Sequence, residues 1–122
     1  MKYKTLLMGG LFMLGSNIVI AGDIFEIVTF KFKENVSMED QKKALEKLNT
    51  CVKKYEGFKS REYYFSKDSN TWVDSVVWTS SENAKKAAEQ VMKDPEAGKI
   101  FSMIDDKSIV FSHYERVGGI RK

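Results

Sequence analysis

The amino-acid sequence predicts an α+β domain in which four strands form one antiparallel sheet and the helices lie on one of its faces. Three observations lead there. Segments dense in β-branched and aromatic residues alternate with segments of helical period, in the order β-α-β-β-α-β. The two middle strands are separated only by Asp68-Ser69-Asn70, turn chemistry that makes them a hairpin. A chain of 122 residues, 43% hydrophobic and 30% charged, suffices for one core and is too short for two domains.

Ile24 to Lys33 (IFEIVTFKFK) is the first strand, ended by the turn signal Glu34-Asn35. Ser37 is an N-cap followed by Glu39 and Asp40, acids suited to a first helical turn. Met38, Leu45, Leu48, Val52 and Tyr55 then recur at helical spacing, so Ser37–Glu56 reads as a helix, with Gly57 as its stop. Phe58–Lys67 and Thr71–Thr79 are the hairpin strands. Ser80 or Ser81 caps a second helix through Lys93, with Ala84, Ala87, Ala88 and Val91 on one face. Asp94-Pro95 restarts the helix, since Asp is an N-cap and Pro fits the first helical position. Asp105-Asp106 breaks it, and Ser108–Val117 is the fourth strand. Two βαβ crossovers flanking a hairpin describe the ferredoxin-like fold, with strands one and three central. The fold is assigned to residues 22–117, and 118–122 to a flexible tail opened by Gly118-Gly119.

The first 21 residues read as a targeting segment. Lys2 and Lys4 form a basic start, and Thr5 to Ala21 carries no charge over seventeen positions, closing on Val19-Ile20-Ala21. That is the layout of a signal peptide cleaved near Ala21, the alternative being an uncleaved anchor, for which the run is short. The expected location is periplasmic or secreted. Without this segment the net charge falls from +3 to +1. Near-neutral, interspersed charge gives no electrostatic basis for nucleic-acid binding, and no membrane contact is expected after cleavage. One Cys and one His exclude a disulfide framework and the common structural zinc patterns, so no metal is expected.

Both faces of the central strands are apolar. Phe25 and Ile27 point one way, and Ile24, Val28 and Phe30 the other; Val73 and Val77 oppose Val76 and Trp78. Helices cover only one face. The other is expected to be covered by a second copy of the chain with two-fold symmetry, the alternative being a monomer with a shallow apolar groove.

The segments FEIVTFKFKENVS, YEGFKSREYYFSKDSNTWVDSVVWTSSENAKKAAEQVMKDPEAGKIF and SHYERV resemble the dimeric α+β barrel superfamily, and within it the antibiotic-biosynthesis-monooxygenase-like group. Gly57-Phe58 and the run Trp78-Thr-Ser-x-Glu-x-Ala84 carry the resemblance most specifically. It implies a homodimer and a ligand site between sheet and helices. It also implies one of several activities: cofactor-independent oxygenation of aromatic polyketides, haem degradation or small-lactone isomerisation. Trp78 matches a Trp that lies against the porphyrin in the haem-degrading branch. That branch also uses an Asn on strand one and a His on helix two, where this chain has no Asn between Ile24 and Lys33 and has Ala87 and Ala88.

The candidate site residues follow. His113 is the only His and a general base or hydrogen-bond donor near neutral pH. Glu26 is a carboxylate in an apolar central strand, where it needs a partner. Strands one and four are expected to be antiparallel neighbours, which brings Glu26 to His113 as the catalytic pair. A structural pairing of Glu26, or an interface contact with Arg61 or Arg116, stands as the other reading. Trp78 is the candidate ring-stacking residue, with a large side chain filling the core at the strand end as the favoured reading. Asp74 shares a face with Val76 and Trp78 and is expected to orient the ligand. Tyr64 is assigned to ligand binding; Tyr63 and Tyr64 must lie on opposite faces. Cys51 falls on the apolar side of helix one, where a thiol is buried and inert. The expected function is cofactor-independent oxidation of a small hydrophobic aromatic molecule, with no cofactor required. The alternatives are a non-catalytic or stress-related small-ligand binder and, less favoured, haem binding.

Overall fold

A computed structural model describes residues 22–122, and the leader read from the sequence lies outside them. The elements are β1 (Ile24–Phe30), α1 (Met38–Val52), β2 (Phe58–Ser66), β3 (Thr71–Trp78), α2 (Ser81–Val91), α3 (Pro95–Phe101) and β4 (Val110–Glu115). They form one antiparallel sheet of order β2-β3-β1-β4, so β1 and β3 are central as expected for a ferredoxin-like fold. The caps are those the sequence announces. The Oγ of Ser37 accepts from the Asp40 amide, the Oγ of Ser80 from the Asn83 amide, and Asp94 from the Glu96 amide with Pro95 in the first turn. Asn70 takes the left-handed conformation (φ 54°) that closes the hairpin.

Several boundaries differ from the sequence reading, three of them because the backbone finds other partners. β1 stops at Phe30: the Lys31 amide donates to the Ser108 hydroxyl (2.8 Å), and Phe32 bridges to Ile104 instead of continuing the ladder. α1 stops at Val52, and Gly57 does not cap it. Gly57 (φ 87°) forms the turn into β2, with its carbonyl accepting from the Thr79 amide (2.8 Å). A β-carbon there would lie 2.6 Å from the Asn83 side chain, so the position excludes larger residues on two grounds. β4 begins at Val110, not Ser108, because Asp105 caps a short 3₁₀ turn over Asp106–Ser108.

The strand register sorts side chains cleanly. Trp72, Asp74, Val76 and Trp78 of β3 face the helices, as do their partners Phe30, Val28, Glu26 and Ile24 of β1. The core on this side is in two parts. The larger packs Phe30, Phe32 and Trp72 against Leu45 and Leu48 of α1 and Ile100 of α3. The smaller packs Ile24, Val76 and Trp78 under Ala84 and Ala87 of α2. A band of polar side chains, Glu26, Asp74, Arg61 and His113, crosses the sheet between the two clusters.

The opposite face carries Phe25, Ile27, Val73 and Val77 at its centre, with Tyr64 and Tyr114 half exposed at its edges. No helix covers it among the described residues. The Arg116 guanidinium lies over the Phe25 ring, 5.5 Å from its centroid.

Candidate functional site

The polar band is built by register. β1 and β4 are antiparallel neighbours, and Glu26 is the direct partner of His113, with both side chains on the helix side. Glu26 Oε1 and His113 Nε2 share a hydrogen bond of 2.9 Å. Their side chains are only 13% and 20% exposed, respectively. Phe111, two residues before His113 and on the same side, sets its ring edge-on to the imidazole at 5.1 Å. The catalytic pair expected from the sequence is thus brought together.

Burial holds the Glu26 carboxyl above the ordinary carboxylate range; the hydrogen bond and charge of His113 offset this in part, and the negative Asp74 adds to it. The folded chain therefore keeps a proton on Glu26 that the unfolded chain releases near 4.5. The stability this group contributes is complete below that value and is lost as pH rises through the higher folded-state value. Glu26→Gln is accordingly expected to raise stability at pH 7 by about 1 kcal/mol, a few degrees in midpoint. It should also flatten the decline of stability above pH 4.5. Thermal melts from pH 4 to pH 8 check this; a variant less stable than wild type at pH 7 would mean that the ionised pair stabilises the fold.

Asp74 is committed elsewhere. It is buried and held bidentately by Arg61, with Nε to Oδ1 at 3.0 Å and Nη2 to Oδ2 at 2.9 Å. Arg61 also donates to the Leu45 carbonyl (2.7 Å) and to Asn49 of α1, and its guanidinium lies 4.4 Å from the Tyr63 ring centroid. Asp74 therefore anchors β3 to β2 and α1 rather than presenting a free oxygen to a ligand. The sequence reading that offered Arg61 or Arg116 to Glu26 is corrected. Arg61 stands on β2, two strands from β1, and reaches Asp74 first, while Arg116 lies on the other face.

Trp78 is deeper than a stacking role requires. It is 2% exposed, with Phe58 packed edge-to-face at 5.9 Å. Its indole N–H is buried with no hydrogen-bond partner among the described residues. Tyr64 does not join the site. Its register partner is Val73, which puts it on the helix-free face, 56% exposed, donating to Glu62 Oε1 at 3.1 Å. Tyr63 is the inward residue of that pair. Cys51 is buried, which raises its thiol. The sequence reading missed Asn49 and Phe111. The i, i+2 spacing of Phe111 from His113 was the available signal for the second.

No protein-family model matches the chain, and no curated protein matches it in sequence. Solved structures do. A variant of SnoaB, a cofactor-independent oxygenase from Streptomyces nogalater, superposes with a TM-score of 0.68 at 14% identity, over 84% of this chain and 100% of that one. A candidate antibiotic biosynthesis monooxygenase from Bordetella bronchiseptica gives 0.68 at 15% identity, over 79% and 98%. A candidate monooxygenase from Shewanella loihica gives 0.62 at 14% identity, over 81% and 98%. At these identities the likeness is one of fold. The α+β ferredoxin-like architecture is that of the antibiotic-biosynthesis-monooxygenase-like proteins, as the sequence resemblance implied.

Proposed function

We propose that this chain, which shares the fold of those monooxygenase-like proteins, oxidises a small hydrophobic aromatic substrate without a cofactor, working as a homodimer. The observation that carries the reading is the Glu26–His113 hydrogen bond, an acid–base pair held in a largely dry band between two apolar clusters. In such a reaction the pair removes a proton from an activated aromatic methylene, and the carbanion passes electrons to dioxygen. One oxygen atom becomes the ring carbonyl and the other leaves as water, so that CH₂ and O₂ give C=O and H₂O with no outside reductant. His113 is the base, and Glu26 orients it and stabilises its protonated form. Phe111 borders the imidazole on the side of the edge strand, where an aromatic ligand approaches.

Oxygen uptake with dithranol, an anthrone with an acidic methylene, tests this in buffer without added flavin, haem or metal. Uptake should exceed the spontaneous rate. It should fall by about 10²-fold in His113→Ala and also fall in Glu26→Gln. Uptake equal to the blank, or indifferent to both substitutions, would sink the reading. Haem is not the ligand proposed: Ala87, which stands on α2 where a ligating His would be needed, is buried against Trp78 and offers no donor.

A further inference from the structure

We propose that the Trp78 indole N–H is a positioning donor for Glu26, which holds the carboxylate through its second oxygen whenever the Glu26–His113 hydrogen bond opens. The inference takes its catalytic meaning from the acid–base reading above. It begins from an orphan: Trp78 Nε1 is a buried donor with no partner among the described residues, an arrangement folded chains seldom keep without a reason. The chain satisfies its other indole fully, since Trp72 Nε1 donates to Gln41 Oε1 at 2.9 Å. Register supplies the candidate acceptor. Trp78 pairs with Ile24, and Val76 with Glu26, so Trp78 and Glu26 are diagonal neighbours on one face, within reach for an aromatic side chain.

Glu26 uses Oε1 for His113, which leaves Oε2 open to another donor. The charged and titratable groups on this part of the sheet are His113 and Glu115 of β4, Asp74 of β3 and Arg61 of β2. Arg61 is engaged by Asp74, Leu45 and Asn49; α2 contributes Ala84 and Ala87 to this cluster, and Tyr55 and Phe58 pack against it. The indole already draws the Glu26 carboxyl downward, although it makes no formed hydrogen bond among the described residues. When His113 turns toward a substrate, a short shift of the Glu26 side chain reaches the waiting N–H. The buried carboxylate is then never left without a donor. Trp78 therefore acts through Glu26 rather than by stacking on the ligand.

Indole N–H resonances of the ¹⁵N-labelled protein test this without any ligand. His113→Ala opens the Glu26 hydrogen bond permanently, so the Trp78 indole proton should move downfield relative to wild type. The movement should disappear in His113→Ala combined with Glu26→Leu, which leaves no acceptor, while the Trp72 resonance stays fixed in all three proteins. A Trp78 resonance unmoved by His113→Ala, or moved equally in the double variant, would overturn the inference. Turnover of dithranol supplies a second arm. Trp78→Phe should move the acid limb of the kcat profile to higher pH with KM unchanged; a raised KM with an unmoved profile would place the indole against the ligand instead. Absence of turnover would remove the oxygenase reading alone, because the resonance arm is read on the resting protein.

Discussion

Asp74→Ala is expected to destabilise the fold by about 3–5 kcal/mol, enough to unfold much of a domain this size near physiological temperature. The cause is the group left behind. The Arg61 side chain is 2% exposed, and two of its nitrogens bind the Asp74 carboxylate. Removing the acid leaves a buried guanidinium beside the Tyr63 ring, with hydrogen bonds to Leu45 and Asn49 and no counter-charge in contact. Removing both charges at once is a different matter. Asp74→Leu with Arg61→Met should lose far less than either single change, since no uncompensated ion remains. Urea unfolding of the two single variants and the double variant completes the cycle. Single variants costing less than 1 kcal/mol each would show that water reaches the pair and that the anchor is dispensable.

Ile27→Asp is expected to convert a dimer into monomers, weakening self-association at least about a hundredfold. Ile27 sits near the middle of the helix-free face, between Ser75 on β3 and Ser112 on β4, with Phe25 and Val77 in the adjoining row. A second sheet laid against this face would bury Ile27 fully, and an aspartate there would be an unpaired charge in the interface. The homodimer is proposed from that apolar face, and sedimentation equilibrium at micromolar concentration decides it. Wild type sedimenting as a single chain under those conditions would remove the proposal. Because Ile27 and the Glu26–His113 pair lie on opposite faces, the monomeric variant should keep the Phe111–His113 contact intact.

Much of this was legible in the residues. The Glu26–His113 meeting follows from two readable facts: the element order makes β1 and β4 neighbours, and alternation puts both residues on one face. Helix starts were readable because Ser37, Ser80 and Asp94 each cap a helix with their own side chain. The core-filling reading of Trp78 agrees with its 2% exposure, but the reason for that depth was not readable. Trp78 lies in the core because Ala84 and Ala87 let α2 approach the sheet closely, and how near a helix settles depends on packing across elements far apart in sequence. The partner of Asp74 was hidden for a related reason. An irregularity between Phe58 and Ser60 resets the pairing of β2, and that reset brings Arg61 inward beside Asp74. Tyr64 was misassigned by the same uncertainty of parity, and Tyr63 holds the inward position.

The polar band that splits the helix-side core bears on how this sequence tolerates change. The buried residues around Trp72 and those around Trp78 form separate clusters, with Glu26 and Asp74 between them, and the half-buried Phe58 packs against both. Away from Phe58, which touches both, energetic effects of substitutions in one compartment should therefore combine additively with those in the other. Each half is free to drift or be redesigned on its own, while the ionic seam between them stays under constraint from both sides.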